Sequence, residues 1–248
     1  MLVGSSTKNL QIGKVRVAYS SRDIMDLRVV KNQHTPTFSA ENVIKIVAGA
    51  EGQYGVLYAL LAGSGLRIDE AAGLEVSDVL ADGMTLTIRQ SLWNGRLQTP
   101  KTTNAFREID LHPSLAAMLR GHIGQRRFGL LFSTASGKRI SQTNVLKRSL
   151  RPILKELQLD KAGFHSFRRY RVTHLRKNRV PEDVLRFWIG HADKTVTDVY
   201  SKVKDDVAFR LLCATNVGLG FVLPLESLVA ERDVAPNCTQ TVSLSTLS

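Results

Sequence analysis

The chain has 248 residues, of which 43% are hydrophobic, and its formal net charge is +12. This length can bury the core of one domain or of two small ones, and no apolar run approaches the roughly 20 residues that cross a bilayer. Two cysteines, Cys213 and Cys238, are too few for a disulfide framework or a metal cluster, and we expect a reducing cytoplasm. The first nine residues lack the pattern of a secretory signal.

The N-terminal residues 1–36 are polar and basic with little periodicity, and they predict a basic arm or linker. Thr37 or Ser39 can then cap a helix. The nearly all-apolar stretch 54–62 predicts a buried helix, and a short helix is expected at 68–74.

Alternation replaces the helical pattern after this point. Apolar and polar residues alternate over 84–89, which is typical of a half-buried strand. Asn94-Gly95 is a strong hairpin-turn signal, and a further strand is predicted at 106–111. Together these segments predict a small antiparallel three-stranded sheet.

The remaining pattern is helical, which gives a mostly helical α+β fold. Pro113 begins one helix, and residues 142–157 predict an amphipathic helix with a basic outer face. Ser166 can cap a helix that reaches residue 178, and residues 181–190 bracket a shorter one. The basic character is lost beyond 212, and we expect a C-terminal tail over 213–248.

Positive charge is concentrated in one part of the chain. Residues 138–180 contain 13 lysines and arginines but only two acidic residues, so this stretch carries +11. Such a stretch favours a polyanionic partner. Nucleic acid is the natural one, because cationic side chains that bind its phosphates release condensed counterions. The alternative is a solvated basic face without a ligand.

Six residues have the chemical types that phosphodiester cleavage needs: Arg67, Lys101, His165, Arg168, His191 and Tyr200. Taken singly, each has an ordinary structural explanation, such as a solvated lysine or a hydrogen-bonded histidine. Cleavage without a metal or a nucleotide needs a nucleophile, neutralisation of the phosphate and a proton for the leaving oxygen. The functional prediction therefore depends on their combination and their order.

The motifs around these residues resemble those of the tyrosine recombinases, the phage integrase family. Four motifs carry the resemblance: GLRIDE at 65–70, PKT at 100–102 followed by REI at 107–109, HSFR at 165–168, and GH at 190–191 with Tyr200 nine residues later. They are similar to the family's first arginine box, lysine hairpin, His-x-x-Arg box, and second histidine with nucleophilic tyrosine. The similarity covers residues 37–205, and it implies that 37–212 is a catalytic domain with the family's α+β fold.

The resemblance also implies a role for each residue. Tyr200 is expected to attack the phosphorus and form a 3′-phosphotyrosine, which conserves the bond energy. Arg67 and Arg168 are expected to bind the non-bridging oxygens through their planar guanidiniums.

The other members of the set handle protons and orientation. His191 is expected to donate a hydrogen bond to the phosphate, and His165 to accept or relay the tyrosine proton. Lys101 is expected to protonate the departing 5′ oxygen. Glu70, three residues after the first arginine, is expected to orient the cationic cluster.

A separate set of basic residues is predicted to contact DNA, mainly by tracking phosphates: Arg89, Lys147, Arg148, Arg151, Arg169 and Arg171. A solvated strand face is the alternative for Arg89. Arg169 also stands where many members of the family have histidine.

The implied activity is that of a site-specific DNA recombinase or integrase of a mobile element, which needs neither metal nor ATP. The expected partner is double-stranded DNA bound by a homo-oligomer, a tetramer, in the cytoplasm at the bacterial nucleoid. The alternatives are a type IB topoisomerase-like enzyme, a non-catalytic DNA-binding protein on a recombinase fold, and a metal-dependent nuclease using His165 and His191. The tail is expected either to fold back on its own core or to dock on a neighbouring protomer.

Full-length recombinases of this family usually carry a helical N-terminal domain, and residues 1–36 are too few to form it. We therefore expect an excised domain, a truncated element or a minimal enzyme.

Overall fold

The computed structural model describes residues 7–12, 15–20, 36–80, 83–93, 96–98, 106–190 and 202–224. Three of the predicted catalytic residues, Lys101, His191 and Tyr200, lie outside these ranges. The chain divides into two compact units, Met1–Thr35 and Pro36–Ser248. None of the helices in the described ranges is long and apolar enough to cross a membrane.

The first unit contains two strands, β1 (Thr7–Ile12) and β2 (Val15–Ser20), which pair antiparallel along their whole length. The sequence predicted a basic arm or linker with little periodicity here, and it did not predict these two strands. The missed signal is the alternation of Val15, Val17 and Tyr19 with smaller or polar residues, a strand pattern within a polar and basic segment.

The second unit begins with three helices: α1 (Ala40–Ala48), α2 (Gln53–Ser64) and α3 (Ile68–Gly73). Ser39 caps α1, since its Oγ accepts a hydrogen bond from the backbone N–H of Asn42 at 3.1 Å. The apolar α2 is buried along most of its length, as predicted. It ends at Gly65, whose φ of 76° is a left-handed conformation that glycine adopts without strain.

Four short strands follow: β3 (Thr85–Ile88), β4 (Ser91–Trp93), β5 (Arg96–Gln98) and β6 (Arg107–Asp110). The small antiparallel sheet is confirmed, but β3 pairs with β6 and β4 with β5, which makes two ladders of two strands. The Gln90 amide donates a hydrogen bond to the carbonyl of Gly73 at 2.9 Å, which draws the chain towards α3 after β3. The strands flanking Asn94 and Gly95 pair as the predicted hairpin requires.

The rest of the described chain is helical, and its α-helices are α4 (Pro113–Ile123), α5 (Gln142–Val145), α6 (Arg151–Glu156), α7 (His165–Lys177), α8 (Glu182–Ile189) and α9 (Val207–Val217). A π-helical turn at Leu146–Leu150 joins α5 to α6, so the predicted helix over 142–157 is continuous but not α-helical throughout. Ser166 lies inside the first turn of α7 and does not cap it. Its hydroxyl instead donates to the carbonyl of Pro36 at 2.9 Å.

The core is built around α2, which packs against α1, α4 and α7. Aromatic contacts hold α7 in place. The ring of Phe167 stacks on Tyr58 of α2 at 5.6 Å and meets Phe38 edge-on at 4.8 Å. The first turn of α7, which carries two predicted catalytic residues, is thereby fixed against the centre of the fold.

The chain folds back on its own core after α9, over 218–224. Three side chains of α7 bind three successive carbonyls there: His174 lies 3.0 Å from Val217 O, Arg171 Nη1 2.7 Å from Gly218 O, and Tyr170 Oη 3.2 Å from Leu219 O. Leu219 and Leu223 join the main hydrophobic core.

These contacts bear on the predicted tail. Its expected start at 213 falls within α9, and the part up to 224 packs on its own chain, which was one of the two expectations. Two further apolar residues of the predicted tail, Leu225 and Leu228, lie outside the described residues.

Replacing Leu219 with alanine tests this packing. Leu219 is buried, and Leu219→Ala is expected to lower the free energy of unfolding by about 2–5 kcal/mol. Val222 on the same segment is 71% exposed, so Val222→Ala should leave it nearly unchanged. Urea denaturation measures the free energy of unfolding of both variants. Equal effects of the two substitutions would show that the segment does not pack as described.

Candidate active site

Arg67 lies immediately before α3, and Glu70 in the first turn of that helix holds it. The backbone N–H of Arg67 donates to Glu70 Oε2 at 2.9 Å, and its Nη1 donates to Oε1 at 3.2 Å. The Arg67 side chain is 41% exposed, whereas that of Glu70 is 7% exposed. A buried carboxylate therefore orients a guanidinium that faces solvent.

The same carboxylate binds a second guanidinium from β6. Arg107 Nη1 and Nη2 reach the two oxygens of Glu70 at 3.1 and 3.0 Å, and its Nε donates to the carbonyl of Trp188 at 2.8 Å. Burial alone would raise the pKa of Glu70, but the charge and hydrogen bonds of Arg107, with those of Arg67, hold it below the ordinary value. Glu70 is therefore ionised at neutral pH.

Arg168 lies in the first turn of α7 and binds the ends of two other helices. Its Nη1 donates to the carbonyl of Gly65 after α2 at 2.8 Å, and its Nη2 donates to Ile189 of α8 at 2.7 Å. Burial and then the nearby charge of Arg67 lower the pKa of Arg168 to about 10, so it stays protonated at neutral pH. These bonds use two of the five guanidinium N–H groups.

His165 is the first residue of α7 and is exposed at the rim of an open pocket of about 320 Å³, which Thr37, Arg168 and Arg169 also line. Burial lowers the pKa of His165, and so do the charges of Arg168, Arg169 and Arg67, while Asp69 opposes them. The imidazole is therefore neutral at pH 7, and a neutral imidazole can accept a proton. His165 and Arg168 line the same pocket, and Arg168 binds the carbonyl of Gly65, two residues before Arg67.

Two residues of this cluster have no role predicted from the sequence. Arg107 occurs in one of the motifs, and its position two residues before the apolar Ile109 on a strand indicates that both side chains lie on the buried side of β6. Asp69 accepts a hydrogen bond from the amide of Gln142 and acts electrostatically on His165. Within the described ranges, no three His, Cys, Asp or Glu side chains cluster so that they could hold a metal ion.

The residues predicted to contact DNA fall into two groups. Lys147, Arg148 and Arg151 are exposed along the continuous helix from α5 to α6. Arg89 is exposed too, but it forms an ion pair with the buried Asp78. The first three therefore form an outward basic surface, which we term the α5–α6 basic face.

Arg169 and Arg171 lie deeper in the structure. Arg169 is half-buried and donates to the carbonyl of Pro36 at 2.9 Å. Arg171 is only 2% exposed, and its Nη1 binds the carbonyl of Gly218. This position contradicts the predicted role of Arg171 as a phosphate contact. Its guanidinium is buried and holds the segment after α9.

The chain is similar in sequence to known proteins. The sequence model of the Phage integrase family matches residues 37–206. The tyrosine recombinase XerC-like protein of Caldanaerobacter subterraneus subsp. tengcongensis is 26% identical over 197 residues, which cover 67% of this chain and 50% of that protein. The chain thus spans half the length of this curated relative.

Solved structures show the same fold. A Tn1549 transposon integrase in complex with a circular intermediate DNA has a TM-score of 0.57 at 16% identity, covering 74% of this chain and 69% of that one. The XerA recombinase has a TM-score of 0.53 at 18% identity, covering 73% and 64%. The predicted fold class, mostly helical with a small antiparallel sheet, is confirmed.

The buried carboxylate gives a prediction for stability and pH. Glu70→Gln leaves the buried guanidinium of Arg107 without its counter-charge and is expected to cost about 3–5 kcal/mol of unfolding free energy. Because the pKa of Glu70 is lower in the folded state, its contribution is complete above the unfolded value and is lost as the pH falls through the folded value. The fall in stability below pH 4.5, the ordinary value of the carboxyl, should therefore be smaller in the variant.

Urea denaturation between pH 3 and 7, a range set by the ordinary carboxyl pKa of about 4, measures this. Glu41→Gln is the matched control, since Glu41 forms an exposed pair with Lys45 on α1 and its loss should change little. If the Glu70 and Glu41 variants have the same stability and pH profile, Glu70 does not hold a buried charge.

Proposed function

This chain belongs to the phage integrase family, and on that premise we propose that it is the catalytic part of a site-specific DNA recombinase, which cuts and rejoins strands through a phosphotyrosine. The observation that carries the proposal is that His165 and Arg168 line one pocket and that Arg168 binds the carbonyl of Gly65, two residues before Arg67. This cluster combines two guanidiniums that can bind phosphate oxygens with an imidazole that can accept a proton. Such a cluster suits a transition state in which negative charge grows on the phosphate while a proton leaves the nucleophile.

In the proposed cleavage step, the Tyr200 oxygen forms a bond to phosphorus as the bond from phosphorus to the 5′ oxygen breaks. His165 accepts or relays the proton of the tyrosine, and Lys101 gives a proton to the departing oxygen. Arg67 and Arg168 stabilise the charge on the non-bridging oxygens, with a further hydrogen bond from His191. Glu70 orients Arg67 throughout and keeps its own charge.

Rejoining is the reverse of this step. A 5′-hydroxyl of another strand attacks the phosphotyrosine, its proton passes to Lys101, and Tyr200 leaves and recovers its proton. The number of phosphoester bonds does not change, so the exchange needs no ATP. The phenolate, with a pKa of about 10, is a good leaving group for this reversal.

Double-stranded DNA is the proposed partner. The α5–α6 basic face offers cations for phosphates on the same chain as the cluster, and a structural neighbour, the Tn1549 integrase, was solved with DNA. Exchange between two duplexes breaks four strands, each of which needs one tyrosine, so we propose that four copies assemble on DNA. Such a complex would act at the bacterial nucleoid, in the cytoplasm.

A suicide-substrate assay tests the chemistry. Nicked DNA carrying a candidate site loses a short 5′-hydroxyl fragment after cleavage, so the covalent intermediate accumulates. The unmodified protein is expected to form a denaturant-resistant adduct without added metal, and Tyr200→Phe should form none while its DNA affinity stays within about threefold, because only the nucleophilic oxygen is lost. An adduct with the Tyr200 variant would contradict the mechanism. Relaxation of a supercoiled plasmid without exchange between sites would instead indicate a topoisomerase-like enzyme.

The α5–α6 basic face gives a second prediction. Lys147→Gln and Arg151→Gln should each weaken binding to all DNA sequences and reduce the slope of log K against log salt by about one unit, because each loses one phosphate contact. Fluorescence anisotropy at several salt concentrations measures the slope. Arg176→Gln is the matched control. It also removes one positive charge, but from the last turn of α7, outside the α5–α6 basic face, where Arg176 pairs with Glu182. An unchanged slope in the first two variants would show that this face does not contact DNA.

A further inference from the structure

We propose that Arg107 is a positioning residue for strand cleavage, which fixes Arg67 and the end of α8 relative to one another. This inference rests on the proposed function, since the reaction it serves is the cleavage described above. Arg107 is 1% exposed on its side chain and therefore acts through its neighbours rather than on DNA.

All three guanidinium nitrogens of Arg107 have defined partners. Two bind the carboxylate of Glu70 as a fork at 3.1 and 3.0 Å, and Nε binds the carbonyl of Trp188 at 2.8 Å. Glu70 binds Arg67 through both its backbone and its side chain. A continuous chain of hydrogen bonds thus runs from Arg67 through Glu70 and Arg107 to the last turn of α8.

The end of α8 is held at two successive carbonyls. Arg107 donates a hydrogen bond to Trp188 O, and Arg168 donates one to Ile189 O. Two buried guanidiniums therefore bind the last turn of the helix. Gly190 follows with a φ of 69°, and a Cβ added there would lie 2.8 Å from Arg107 Cζ. The backbone must pass against Arg107 at this point, directly before His191. Arg107 therefore sets where the chain leaves α8 for the predicted catalytic histidine.

Arg210 of α9 provides a matched comparison. It is as deeply buried as Arg107, and its Nε binds Asp110 of β6 at 2.8 Å, while Asp110 also accepts the indole N–H of Trp188 at 2.7 Å. The ion pairs of Arg210 with Asp110 and Glu108 join α9 to β6, beside α8. Its Nη1 also binds the carbonyls of Val203 and Lys204. Its loss therefore disturbs the same part of the fold but does not break the link to Arg67.

Lysine separates charge from geometry at both positions. An ammonium keeps the positive charge opposite the carboxylate, but it lacks the planar fork that spans two acceptors in fixed directions. Arg107→Lys should therefore retain a pair with Glu70 and lose the connection to Trp188 O. Arg210→Lys should lower stability in a comparable way.

The experiment compares the stability of Arg107→Lys and Arg210→Lys by urea denaturation, and it measures the DNA affinity of Arg107→Lys and its rate of adduct formation at saturating protein. Displacement of catalytic groups by about 1 Å costs on the order of 100-fold in rate. We expect the Arg107 variant to cleave at least about tenfold more slowly with nearly unchanged DNA affinity. Arg210→Lys is the control for stability and for amide exchange, but not for the rate, because Arg210 also binds the backbone that follows Tyr200. An unmodified rate in Arg107→Lys would overturn the proposal.

A second readout does not depend on activity. The backbone N–H of Arg67 donates to Glu70, and that of Gly190 donates to Arg186. Arg107→Lys should speed amide hydrogen exchange at both positions, whereas Arg210→Lys should leave Arg67 unaffected. If the unmodified protein forms no adduct, the proposed function fails, and exchange at these two amides alone decides on Arg107: unchanged exchange in its variant would overturn the positioning role.

Discussion

The buried ion pair between Glu70 and Arg107 is the interaction on which the rest of the site depends. Removing two charges from water is costly, and a buried pair of this kind adds little net stability compared with apolar packing. Its effect here is geometric. Because Glu70 also binds Arg67, and Arg107 also binds the end of α8, one carboxylate ties together segments that are far apart in the sequence. Losing either partner would leave a charge buried without compensation.

Helix ends organise the second half of the site. Helices α2 and α8 both end at glycines in the left-handed conformation, and their final carbonyl groups converge on Arg168. The partial negative charge of a helix C-terminus favours a cation at this place. Arg168 is thus held by backbone dipoles, whereas Arg67 is held by a carboxylate. Both guanidiniums, with Arg169, lower the pKa of His165. In the proposed function, a bound phosphate would balance the excess positive charge that these groups leave.

Local patterns predicted most of the fold, because each depends on residues close in the sequence. The apolar run at 54–62 becomes the buried α2, and within the motif at 65–70 the side chain of Glu70 binds Arg67. The misses depend on partners distant in the sequence. The pattern at Ser166 matched a helix cap, but its hydroxyl bonds to Pro36. Arg171 belongs to a basic segment, yet it faces a backbone carbonyl 47 residues away. The role of Arg107 follows only from the meeting of β6, α3 and α8.

We propose that this arrangement of side chains serves covalent strand transfer through Tyr200. The most direct measurement is peptide mapping by mass spectrometry of the adduct trapped on a suicide substrate, after digestion of both protein and DNA. We expect one modified peptide, with the nucleotide joined to Tyr200 through its 3′ phosphate. A nucleotide on any other side chain, or one joined through a 5′ phosphate, would contradict it.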